Sequence, residues 1–212
     1  GMNESTEAPW VLAIDPSQSP AASKRIVLPD RPMELRVAGP HLLAAGHRGM
    51  FHLIDPAKET VAATWIPASD VGRITDFTVL PDASAVVAVQ RQDSATGGRR
   101  GHRVLVFDLP SLKLRHDLAL PRNQPSLHYP GGGKDSGPGP HFALVSPATN
   151  TLAIGLNSYG AVLLADLDAV LKGAWKNTVT LPTSADGSWG TSFPSTGSLF
   201  SAGTREFALV NN

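Results

Sequence analysis

An all-β fold made of repeated short antiparallel strands is predicted by three observations. An apolar strand ending in Asp or Asn recurs five times along the chain. A second apolar segment ending in Leu-Pro or Ile-Pro follows each of the first four. Tight turns rich in Pro, Asp, Asn and Gly separate the remaining strands. A repeat of this length built from short strands means radial or stacked β-units.

Taken in order, the chain opens with residues 1–10, a flexible N-terminus in which Gly1 ahead of Met2 reads as a tag remnant. Residues 11–212 then form one domain, because the repeat runs unbroken and no linker interrupts it. The Asp-terminated strand, here termed strand c, reads Val11–Asp15, Phe51–Asp55, Val104–Asp108, Val162–Asp166 and Phe207–Asn211. Strand d ends at Pro29, Pro67, Pro121 and Pro182. A Pro lacks the N–H that would continue a ladder, so it belongs at the end of an outermost strand.

Two further strands precede strand c in each unit. Strand a is read in Leu35–Val37, Ile74–Val79, His141–Val145 and Thr191–Phe193. Strand b is read in Leu42–Ala45, Ala85–Gln90, Thr151–Leu156 and Ser198–Ala202. The turns Pro81-Asp82-Ala83-Ser84, Pro147-Ala148-Thr149-Asn150 and Pro194-Ser195-Thr196-Gly197 between them combine a fixed φ with residues that tolerate hairpin geometry. Gly46-His47-Arg48-Gly49, Asn157-Ser158-Tyr159-Gly160 and Gly203-Thr204-Arg205 join b to c with the glycine that tight hairpins demand. Runs such as Val86-Val87-Ala88-Val89 are apolar without alternation, as expected of strands covered on both faces. The only helical signal is one or two turns over Asp166–Lys172. Two connections are long, Arg91–His102 and Arg122–Pro140; each is read either as a surface loop or as a binding element over one mouth of the array.

Composition narrows the partners. Among 212 residues, 18 Lys and Arg balance 18 Asp and Glu, so no basic footprint for nucleic acid is present. No apolar run reaches the roughly 20 residues of a membrane-spanning helix. Cysteine is absent, which rules out disulfide staples. The compartment follows from the start: cytoplasmic if Met2 is native, periplasmic or secreted if a leader has been removed.

Gly139-Pro140-His141-Phe142-Ala143-Leu144-Val145-Ser146-Pro147, followed by Thr151-Leu152-Ala153-Ile154, resembles the repeat phrase of YVTN-type and lactonase-type β-propellers. Ala45-Gly46-His47-Arg48-Gly49-Met50-Phe51-His52-Leu53-Ile54-Asp55 is similar to the b-to-c hairpin of WD40-like blades. The Trp-Asp dipeptide of WD40 repeats is missing from every strand c, and the Ser-Pro-Asp-Gly turn of YVTN repeats is altered. The resemblance therefore implies a generic β-propeller-like array of four-stranded antiparallel blades. About four blades are expected, incomplete or open because an isolated c-d pair starts the array and an a-b-c unit ends it; the alternative is a closed four-bladed ring. An open array leaves blade faces and strand edges that a second copy or a protein partner would cover.

The candidate ligand-binding residues are His141, Asp76, Arg73, Trp189 and Arg48. His141, Asp76 and Arg73 open innermost strands, Trp189 precedes the last of them, and Arg48 sits in a b-to-c turn. A Pro-His at the place of His141 lies near the channel mouth in lactonase-like propellers, so the resemblance implies ligand contact there. His41, His47 and His52 share one hairpin but lack metal-ligand spacing and read as exposed turn residues. Gly131-Gly132-Gly133-Lys134 is not a phosphate loop, since His128 and Asp135 stand where that motif needs Gly and Ser or Thr. No catalytic constellation, metal set or cofactor motif can be assembled. Trp65 and Trp175 are assigned to strand d regions, packed between blades. The leading reading is a non-catalytic binding or scaffold protein that recognises a partner or small ligand through its loop face. A lactonase-like or dehydrogenase-subunit-like enzyme is the second, and a truncated propeller without autonomous function the third.

Overall fold

The computed structural model describes residues 8–15, 17, 22–67, 72–91, 102–121, 139–157, 161–182, 196–202 and 205–211. The first strands are β1 (Trp10–Asp15), β2 (Ala22–Val27), β3 (Pro32–Ala38), β4 (His41–Gly46), β5 (Phe51–Asp55) and β6 (Thr60–Trp65). Next come β7 (Arg73–Val79), β8 (Ala85–Arg91), β9 (Arg103–Asp108) and β10 (Lys113–Ala119). The last group is β11 (Gly139–Ser146), β12 (Thr151–Asn157), β13 (Ala161–Asp166), β14 (Val179–Pro182), β15 (Thr196–Ala202) and β16 (Arg205–Asn211), with one helix, α1 (Leu167–Leu171), after β13.

These strands form three antiparallel four-stranded blades, β3-β4-β5-β6, β7-β8-β9-β10 and β11-β12-β13-β14, flanked by the two-stranded sheets β1-β2 and β15-β16. The array is open: among the described residues neither flanking pair gains a third strand, and they do not pair with each other. Every Asp-terminated strand anticipated from the sequence is the third strand of a blade or part of a flanking pair, and α1 falls within the one helical segment. The anticipated strand Thr191–Phe193 and the glycine-rich stretch 131–138 lie outside the described residues.

The core lies between blades, and strand alternation assigns each side chain to one neighbour. On β8, Val86 and Ala88 face the first blade, whereas Ala85, Val87 and Val89 face the third. On β9, Leu105 and Phe107 join the first interface, and Val104 and Val106 the second. The uninterrupted apolar runs follow directly, since both faces of strands b and c are covered. Between the first and second blades Phe51, Phe77 and Phe107 meet edge to face at 5.2–5.3 Å, and Trp65 packs on Phe107 at 4.8 Å. Trp65 thus packs between blades from β6 as anticipated. Trp175 also packs between blades, but it lies ahead of β14 rather than on it, and its indole N–H donates to the Ala119 carbonyl at 2.8 Å.

The same backbone devices recur in each blade. The a-to-b turns hold Gly39, Ala83 and Asn150 at φ of 62°, 54° and 54°, the left-handed conformation that reverses the chain tightly. Each innermost strand carries a register shift against its neighbour at the same place, between Pro32 and Glu34, Ile74 and Asp76, and Pro140 and Phe142. Met33, Thr75 and His141 are the extra residues of these bulges. Helix α1 starts where the Asp166 carboxylate caps the Ala169 amide at 3.0 Å and accepts from the Asn150 side chain at 2.8 Å.

Two stability outcomes are expected. Phe51→Ala, in the middle of the aromatic cluster, lowers unfolding free energy by about 3–5 kcal/mol in chemical denaturation, because the cavity between two rigid blades does not collapse. Ala83→Gly raises it by up to about 1 kcal/mol by relieving the left-handed alanine.

Candidate binding surface at the loop rim and inner strands

The inner strands are joined across blades by one carboxylate. Asp76 follows the bulge of β7; its Oδ1 accepts from Arg36 Nη2 of β3 at 2.7 Å, and its Oδ2 accepts from the Ala143 amide of β11 at 2.7 Å. Arg36 is held in turn by Glu34, which accepts from its Nε at 2.7 Å, and its guanidinium lies 4.9 Å from the centre of the Phe77 ring. Thr75 donates to the Pro140 carbonyl at 3.0 Å, next to His141. Three successive blades are therefore tied at their innermost strands by Arg36, Thr75 and Asp76. Burial pushes the Asp76 carboxyl up to about 6, against the Arg36 charge and the Ala143 amide, which both favour the ionised form.

A second carboxylate organises the loop rim of the first blade. Asp30, buried in the connection between β2 and β3, accepts from the Arg31 amide at 2.8 Å and from the Arg48 amide at 2.7 Å. The His47 amide donates to the Arg31 carbonyl at 2.8 Å, which closes the link between the two loops. Gly46 makes room for it: a Cβ there would stand 2.3 Å from Asp30 Oδ2. The φ of 78° at Gly49 turns the chain into β5. The side chains of Arg31, His47 and Arg48 remain exposed, so a rigid hydrogen-bonded base presents three basic groups on one rim.

The sequence candidates separate accordingly. The structure brings Asp76 to the segment bearing His141, through Thr75 and Ala143, and His141 is half-buried at its bulge. Arg73 opens β7, paired in register with Arg91. Arg48 is on the loop rim, and Trp189 lies outside the described residues. Arg36 and Asp30 were missed. A charged residue inside an alternating inner strand, and an Asp directly after a strand-ending Pro opposite a Gly-x-x-Gly turn, were the signals available.

One expectation about histidines is corrected. His47 is exposed, but His41 is half-buried, and His52 is fully buried on the face of β5 turned towards β1 and β2. The apolar neighbours Phe51, Leu53 and Ile54 carry it inside. Its Nδ1 pairs with the Thr64 hydroxyl at 3.2 Å, and its Nε2 has no partner among the described residues. Burial lowers its pKa, with Asp30 acting in the opposite sense. No three His, Cys, Asp or Glu side chains converge as a metal-ligand group among the described residues. At the opposite end of the strands a cleft of about 360 Å³ opens between the a-to-b turns and α1, lined by Pro81, Asp82, Pro147, Asn150, Leu167 and Leu171.

No protein-family model matches the chain, and no curated protein is similar to it in sequence. Solved structures are similar in fold. Sqt1 of Saccharomyces cerevisiae superposes with a TM-score of 0.56 at 12% identity, over 86% of this chain and 43% of that one. The Cps50 (Swd1) β-propeller domain of Myceliophteria thermophila gives 0.53 at 13%, over 79% and 51%. Hydrazine synthase of Kuenenia stuttgartiensis gives 0.51 at 18%, over 70% and 44%. The blades are those of a β-propeller, and the chain spans 43% to 51% of the length of these structures.

Two results are expected at these carboxylates. Asp30→Ala leaves two amides without their acceptor and costs about 1.5–3 kcal/mol, with faster amide exchange at residues 47–50. Asp76 binds its proton more tightly folded than unfolded, so its contribution is full below the model-peptide value of 3.8 and is lost as pH rises to about 6. Asp76→Asn removes that component from the pH dependence of unfolding, measured between pH 4 and 6.5.

Proposed function

We propose that this chain is a non-catalytic binding or scaffold module that recognises an anionic partner through the loop face of its first blade. The observation that carries this reading is the buried Asp30 link, which fixes the Arg48 turn against the Arg31 connection. A site whose backbone is already ordered avoids much of the ordering cost on association. Arg31 and Arg48 then offer one permanent charge from each of two loops, and the exposed His47 precedes Arg48 in the same turn. Neither arginine is in an ion pair among the described residues, so both are available to a carboxylate or phosphate group.

The inner-strand candidates support the same reading from the other side. Asp76 spends both oxygens on bracing neighbouring blades, which leaves it poorly placed as an acid or base towards a substrate. The fold itself decides nothing here, since propellers carry many functions and one structure similar in fold is a hydrazine synthase.

Affinity capture from the native extract, with the wild-type chain and the double variant Arg31→Glu/Arg48→Glu, tests the proposal. A partner enriched by the wild type is expected to fall at least about tenfold with the variant, and to weaken as salt rises, because both charges sit at the surface. The variant should keep its melting temperature, since both side chains are exposed. Equal capture by both chains would overturn the role of this rim.

A further inference from the structure

Among the described residues, His52 alone has a buried side-chain polar atom without a hydrogen-bond partner. The residue is fully buried on β5, and only its Nδ1 is engaged, with the Thr64 hydroxyl of β6 at 3.2 Å. Either tautomer leaves Nε2 bare. If Nδ1–H donates to Thr64, Nε2 has no donor; if Thr64 donates, Nε2–H has no acceptor. Strand alternation puts His52 on the side of the first blade that meets β1 and β2, with Ala44, its register partner on β4, and with Ile54 and Val61. The positions facing that side are Val11 and Ala13 of β1, Ile26 of β2 and Leu28 just beyond it, none of them charged. Lys24 shares this side of β2 only at its far end, where it pairs with Glu59 at 2.7 Å. The near end carries the buried Asp30, whose oxygens hold the Arg31 and Arg48 amides, and the exposed side chains of Arg31, His47 and Arg48.

We propose that this contact is a proton-operated joint: when the His52 imidazole takes up a proton, the β1-β2 pair loosens from the first blade, and the rim formed by Arg31 and Arg48 loosens with it. An imidazolium donates from both nitrogens. Thr64 can accept from one, and the apolar layer of Val11, Ile26 and Ile54 has nothing to offer the other, so the charge is stabilised only if water enters between the sheets. Asp30 attracts the proton, but its two oxygens already fix two loops, and turning towards Nε2–H would draw it from the Arg31 and Arg48 amides. Either response takes away the ordered base under the two arginines. Burial holds the His52 pKa below 6.5, with Asp30 opposing; the contribution of the neutral ring is therefore complete above 6.5 and is lost as pH falls through the lower folded value. Use of the joint to regulate anion binding rests on the function proposed above, whereas the joint itself does not.

Hydrogen exchange of the purified chain, corrected for intrinsic rates, reads the joint without a partner, so a rim that binds no anion leaves the result intact. The amides of residues 11–15 and 23–27 are followed at pH 7.5 and pH 5, with those of β12 as the internal reference. Relative to β12, their protection is expected to fall about tenfold on acidification, within the roughly thirtyfold that an open-state value of 6.5 permits at pH 5. Residues 47–50 should change in the same direction. His52→Gln, which can still bond Thr64 but cannot titrate, abolishes the differential loss, and His52→Leu serves if the glutamine variant does not fold. Asp76 titrates in this range with the opposite sign and cannot imitate the effect. An unchanged ratio between the two pH values would overturn the proposal, as would an equal loss in the His52 variant or a loss shared in full by β12.

Discussion

Everything in this structure depends on the requirement that a blade be covered on both faces. A four-stranded sheet of this length buries little by itself, because half of its side chains point to each side. Stacking converts strands b and c into fully enclosed layers, and each interface holds its own cluster of branched and aromatic residues. The cost is that no blade is independent. A substitution at Phe107 is felt in the first blade through Phe51 and Trp65, whereas its chain neighbour Val106 acts on the third.

Polar groups then determine how the stacked blades are aligned. Apolar faces can slide, and hydrogen bonds from one buried carboxylate to two different blades cannot follow that sliding without breaking. Asp76 has this role at the inner strands, and Asp30 has it at the rim, where it joins two loops instead of two sheets. Both are buried acids that accept backbone amides, and both stand beside arginines. They differ in what the arginine does: Arg36 is consumed by Asp76, while Arg31 and Arg48 lend only their amides and keep their side chains outside.

Much of this fold could be read from the chain alone because the strand signals are local. A continuous apolar run, a terminal Asp and a Pro-containing turn each act within a few residues, and they placed strands b and c almost to their ends. The site was less legible. Arg36 and Asp76 are forty positions apart and meet only because adjacent blades bring equivalent strands side by side. Asp30 carries no local signal that sets it apart from other turn residues, and its role rests on its closeness to Gly46 and the Arg48 amide. His52 was misjudged for the opposite reason: three histidines in one hairpin drew attention to their type, when the side of the strand decided burial.

The repeated bulge of the innermost strands has a further implication. Met33, Thr75 and His141 are the residues that the ladder skips, one per blade, at equivalent heights. A residue outside the pairing pattern is relieved of the demand for β-propensity that binds its neighbours. The three positions already hold a thioether, a hydroxyl and an imidazole. Strand pairing itself therefore places little demand on the chemistry of these three positions, and in the second blade the residue so released is spent on a tie to the next blade, from the Thr75 hydroxyl to the Pro140 carbonyl.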